Sequence, residues 1–127
     1  MNSKLKKQLV SAALTARENA YAPYSNYKVG AAILTADGKI YTGANFENAS
    51  FGAGICAERV ALGAALAAGE RKFEAVACTA ANSSVTPCGI CRQALAEFGD
   101  MDVICTGDDG EIREYRLSEL LPHGFKL

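Results

Sequence analysis

The chain has no tryptophan, a single histidine, three prolines in 127 residues and no surplus of either charge, with 13 Lys and Arg against 14 Asp and Glu. Each shortage excludes something. His123 sits in the C-terminal turn Pro122-His123-Gly124, so no histidine-based catalysis is available elsewhere in the chain. The net charge is -1 and the basic residues are scattered rather than striped, which argues against a nucleic-acid partner. No apolar run approaches the length of a membrane span. The basic start Met1-Asn2-Ser3-Lys4-Leu5-Lys6-Lys7 is followed only by short apolar runs interrupted by Thr, Arg and Glu, and so lacks the hydrophobic stretch of a secretory signal. A cytoplasmic protein with no membrane partner is expected. There, five cysteines with two in a C-x-x-C read as metal ligands and buried thiols rather than as a disulfide framework.

Half of the residues are apolar, enough for one core, and a single domain over 1–127 is expected. Apolar positions from Leu5 to about Tyr21 recur at helical spacing. Val29 to Leu34 and Lys39 to Ala44 flank Asp37-Gly38 and read as a hairpin, with a polar loop from Asn45 to Gly52 leaving it. Cys56 to Ala68 is rich in helix formers and ends at Gly69. Phe73 to Cys78 is a strand, Asn82 to Thr86 a loop, and Cys88 to Phe98 a helix opened by Pro87 and closed by Gly99. Val103 to Cys105 is a strand, Ile112 to Tyr115 an edge-strand candidate, and Leu117 to Leu121 a last helical turn. Alternation after the hairpin implies crossovers and parallel pairing, hence a mixed five-stranded sheet with helices on both faces.

The chemistry concentrates in Cys56-Ala57-Glu58-Arg59 and Pro87-Cys88-Gly89-Ile90-Cys91. Cys88 and Cys91 share one face of a first helical turn, and Cys56 can approach from another helix start. A C-x-x-C alone is modest. Cys-Ala-Glu followed by Pro-Cys-x-x-Cys is the three-cysteine form of the zinc nucleobase deaminase signature. Three ligands leave a position open, as catalytic zinc requires, whereas a structural site needs a fourth, for which Cys78, Cys105 and His123 have no suitable spacing. Cys78 and Cys105 read as core thiols. Glu58 is a poor co-ligand two residues from Cys56 but a good neighbour for water. Taken alone it would serve only the helix dipole. Arg59 returns to the face of Cys56 and can support a sulfur, the alternative being a surface salt bridge.

Tyr-x-Pro-Tyr-Ser-x-Tyr-x-Val-Gly-Ala, Asn-Phe-Glu-Asn-Ala-Ser, Cys-Ala-Glu-Arg and Pro-Cys-Gly-x-Cys-Arg-Gln, in this order, resemble the small homotetrameric zinc-dependent cytidine deaminases, and the likeness runs to Phe125. The resemblance implies a three-layer α/β/α sandwich, one Zn2+ per subunit, and hydrolytic deamination of cytidine and deoxycytidine with release of ammonia. It implies Cys56, Cys88 and Cys91 as ligands and Glu58 as proton shuttle. Asn45 and Glu47 match the pair that holds a ribose hydroxyl, Ala57 offers its backbone to the pyrimidine edge, Tyr27 lies beside the base, and Phe125 counts among the substrate-binding residues. It further implies a homotetramer with sites completed by neighbouring subunits. Two positions depart from the family pattern: Tyr27 stands where Phe is usual, and Phe51 where a polar-tipped residue is common. They bear on substrate range, and a blasticidin-type or modified cytosine nucleoside is the alternative substrate. A zinc-stabilised binding module without catalysis and a polynucleotide deaminase are the other readings. The first needs a closed site and the second a basic track.

Overall fold

A computed structural model describes residues 1–81 and 85–127. The Asn2 side chain accepts the Leu5 amide at 2.8 Å and so caps the first helix, α1 (Ser3–Arg17). Leu9 and Ala13 form its buried stripe. The helix ends short of the Tyr21 that periodicity suggests, because tertiary pairing claims the next residues. The Tyr21 amide donates to the Asn45 carbonyl and the Tyr21 carbonyl accepts the Glu47 amide, both at 2.9 Å.

Strands β1 (Val29–Thr35) and β2 (Ile40–Ala44) form the expected hairpin, with Gly38 at φ +91° in its turn, a conformation glycine adopts without a Cβ penalty. A short 3-10 turn (Phe51–Ala53) leads to α2 (Ala57–Ala67), then β3 (Phe73–Ala80), α3 (Gly89–Ala96), β4 (Asp102–Gly107), β5 (Ile112–Arg116) and α4 (Leu117–Leu120). Residues 82–84 of the expected Asn82 to Thr86 loop lie outside the described residues.

The sheet has the order β2-β1-β3-β4-β5. β3 and β4 are parallel and all other neighbours antiparallel, giving the expected mixed five-stranded sheet with β5 at one edge. Period-2 alternation sends Ala31, Ile33, Val76, Cys78, Val103 and Cys105 to the face that packs with residues of α2, α3 and α4. Ala32, Leu34, Ala75, Ala77 and Ile104 go to the face covered by α1. Helices thus cover both faces, which is the three-layer arrangement. Each fully buried Leu or Ile contributes about 1.5–3 kcal/mol. Cys78 and Cys105 are neighbours in the β3/β4 register, buried, with sulfurs 3.6 Å apart.

Candidate active site

Cys56 and Cys88 occupy the N-cap positions of α2 and α3, and Cys91 lies in the first turn of α3. No cap hydrogen bond ties the Cys56 side chain to α2, while the Cys88 sulfur faces Cys91 and Ile90 in the first turn of α3, and the two sulfurs converge. The Cys56 and Cys88 sulfurs are 3.7 Å apart, those of Cys88 and Cys91 3.5 Å, and all three lie within 4.8 Å of one another. Tetrahedral zinc with bonds of about 2.3 Å sets its sulfur ligands about 3.8 Å apart. The three thiols fit that ion.

Their surroundings fit it as well. Burial pushes the Cys56 and Cys91 thiols above the ordinary range, so a metal that binds there displaces protons. Burial also works against the Cys88 thiolate, but the Cys91 amide and thiol, with help from Cys56 and the Ile90 amide, outweigh it and hold Cys88 below its usual value. Arg59 Nη2 lies 3.9 Å from Cys56 Sγ, and Arg59 Nε is buried with no acceptor among the described residues. Ionised sulfurs would give that guanidinium its acceptors.

Glu58, in the first turn of α2, is 5% exposed and faces a cavity of about 360 Å³ that Tyr27, Asn45, Cys56, Ala57 and Cys88 also line. That is the scale of a small-molecule site. Desolvation raises the Glu58 carboxyl above the ordinary range despite the opposing backbone bond and Arg59, so it holds a proton more readily than a surface glutamate. A buried carboxyl beside a three-thiol metal site, opening on a cavity, is the equipment of a metal-assisted hydrolase.

Residues 3–107 match the family described as the cytidine and deoxycytidylate deaminase zinc-binding region. The chain belongs to that family. It is 46% identical over 123 residues to a cytidine deaminase of Halalkalibacterium halodurans, covering 94% of this chain and 93% of that protein. Its fold superposes on the crystal structure of cytidine deaminase from Burkholderia pseudomallei with a TM-score of 0.91 at 47% identity, covering 98% and 100% of the two chains. The cytidine deaminase of Mycobacterium tuberculosis gives 0.80 at 37% identity, with 96% and 98% covered.

Within this deaminase fold the sequence-derived residues separate into three groups. Cys56, Ala57, Glu58, Cys88, Tyr27 and Asn45 share the one cavity. Glu47 lines a second cavity of about 400 Å³ with Tyr24, Ser25 and Phe51. Its Oε1 accepts the Tyr24 and Ser25 amides at 3.0 and 3.1 Å, and its Oε2 accepts the Ser25 hydroxyl. The Ser25 hydroxyl first, with the two amides, holds Glu47 below the usual carboxylate range. Phe125 is not brought to the Glu58 cavity of its own chain. It is exposed, its carbonyl accepts Gln93 Nε2 at 3.0 Å, and it lines a separate depression with Asp100 and Leu121.

Sequence reasoning missed Val85 and Thr86, which complete the Glu58 cavity. Their place just before Pro87-Cys88 was the available signal. It also missed that Cys78 donates to the Val85 carbonyl at 3.3 Å, tying the core thiol to the segment that leads to Cys88.

Proposed function

We propose that the chain catalyses hydrolytic deamination of cytidine and deoxycytidine to uridine and deoxyuridine, as an enzyme of pyrimidine salvage working in the cytoplasm. The observation that carries this reading is the convergence of the Cys56, Cys88 and Cys91 sulfurs beside the buried Glu58 carboxyl at one cavity. Cys56, Cys88 and Cys91 would hold the zinc, which would supply the Lewis acidity that makes water nucleophilic at neutral pH. Glu58 accepts a proton from the attacking water and delivers it to ring N3, then takes the second proton from the hydroxyl formed at C4 and passes it to the amine, which leaves as C4 becomes a carbonyl. One water enters, and uridine and ammonia leave. Arg59 and the two helix N-termini offset the charge of the thiolates.

In this reading the Ala57 backbone meets the pyrimidine edge, the Tyr27 ring stands beside the base, and Asn45 and Glu47 take a sugar hydroxyl. Asn45 has the capacity. Its Oδ1 accepts the Val29 amide and its Nδ2 donates to the Tyr27 carbonyl, which leaves one N–H and one lone pair. Phe125 and Phe51, exposed and away from the Glu58 cavity of their own chain, serve neighbouring sites in a homotetramer built of one deaminase domain per subunit. Ultraviolet absorbance and ammonia release with cytidine test the function. Conversion to uridine is expected, and no turnover by fully zinc-loaded protein overturns it. Light scattering tests the assembly, which a monomer would refute.

A further inference from the structure

The segment that carries Tyr27 is built in an unusual way. Asn26 has φ 57°, a left-handed conformation that non-glycine residues adopt at a cost. Its amide donates to the Ala22 carbonyl at 2.9 Å, closing a tight turn that presents Tyr27 to the Glu58 cavity. Something must hold that turn.

Ser25 does so with a hydroxyl used in both directions. It donates to Glu47 Oε2 and accepts the Tyr27 amide at 3.0 Å. A serine that only capped its own turn would need just the local bond. The second bond instead reaches across the fold to a carboxylate that already takes two amides from the same segment. On the far side of Tyr27, Asn45 Nδ2 donates to the Tyr27 carbonyl at 3.0 Å. The ring beside the base is therefore held from its amino side through Ser25 by Glu47, and from its carboxyl side by Asn45.

We propose that Ser25 is a positioning residue that couples the sugar-binding carboxylate of Glu47 to the aromatic wall of Tyr27, so that sugar and base are recognised by one hydrogen-bonded unit. The inference rests on the nucleoside reading above. Loss of the hydroxyl removes one charge-assisted bond from Glu47 and one acceptor from the Tyr27 amide, while zinc, Glu58 and the helices that carry them are untouched. The consequence falls on binding, not on the chemical step.

The test uses zinc-loaded wild type, Ser25→Ala, Ser25→Thr, Glu47→Gln and the Ser25→Ala/Glu47→Gln double variant, with zinc content and melting temperature as controls. For Ser25→Ala, KM for cytidine is expected to rise about tenfold to a hundredfold, the factor for one hydrogen bond to a charged group. kcat should stay close to wild type, and Ser25→Thr should recover most of the loss. The double variant should be no weaker than Glu47→Gln alone, because both changes break one link. An unchanged KM in Ser25→Ala, or losses that multiply in the double variant, overturns the proposal. Should wild type itself not turn over cytidine, the nucleoside reading fails. A crystal structure of Ser25→Ala then decides the role of Ser25: displaced Glu47 and Tyr27 side chains support it, and unmoved ones overturn it.

Discussion

Gly43 of β2 and Ala61 of α2 meet backbone to backbone. A Cβ on Gly43 would lie 2.4 Å from the Ala61 nitrogen and 2.6 Å from the Ala57 carbonyl oxygen. The strand therefore presses directly on the first turns of the helix that begins after Cys56 and carries Glu58.

Gly43→Ala is expected to push α2 off the sheet and to cost about 1–3 kcal/mol, the usual penalty for overpacking. Since Cys56 moves with that helix, zinc retention should fall as well. Thermal unfolding and zinc content of the purified variant check both, and a variant with normal values for each refutes the contact's importance.

Glu58→Gln keeps the side-chain volume and removes the titrating group. Zinc content and melting temperature should match wild type, whereas turnover of cytidine should fall by about 10²–10⁴-fold, the range for loss of a central acid/base. Wild-type-like turnover would exclude Glu58 as the proton carrier.

Removing zinc with a chelator should abolish turnover and expose thiols in a defined order. Cys88 is exposed and held below the usual thiol range, so it reacts first with a disulfide reagent, and the half-buried Cys56 follows more slowly. Cys91, Cys78 and Cys105 are buried and should react only on unfolding. Mass spectrometry of partly labelled protein reads the order, and early labelling of Cys78 or Cys105 would contradict it.

The Ser25 hydroxyl and the Ser25 and Tyr24 amides hold Glu47 below its ordinary value in the folded protein. A depressed carboxylate contributes stability that is fully present above the unfolded value of about 4.3 and is lost as pH falls through the lower folded value. Glu47→Gln should therefore remove part of the acid-side decline in melting temperature while leaving the neutral plateau without that slope. Identical acid limbs for variant and wild type would show that Glu47 does not titrate there.

The elements and the C-x-x-C half of the three-cysteine cluster were legible because their signals are local. Cys88 and Cys91 are brought together by one helical turn, Asp37-Gly38 marks its hairpin, and alternation sorts Ala31 and Ile33 from Ala32 and Leu34 without reference to the rest of the chain. The end of α1 at Arg17 was not legible, since the pairing of Tyr21 with Asn45 and Glu47 overrides helical periodicity. Nor was the bond of Ser25 to Glu47, whose partners lie on separate loops.

By itself the amino-acid order determined which cysteines could bind zinc, that a carboxyl stands two positions from Cys56, and that helices and strands alternate. Spacing and propensity act within a few residues, where covalent geometry sets the distances. Only the tertiary structure decided that Cys56 meets Cys88 at 3.7 Å, that burial raises the Glu58 carboxyl above the ordinary range, and that Phe125 lies away from the cavity of its own chain. Those depend on how α2 and α3 pack on the shared sheet, and packing is settled by contacts between segments far apart in the chain.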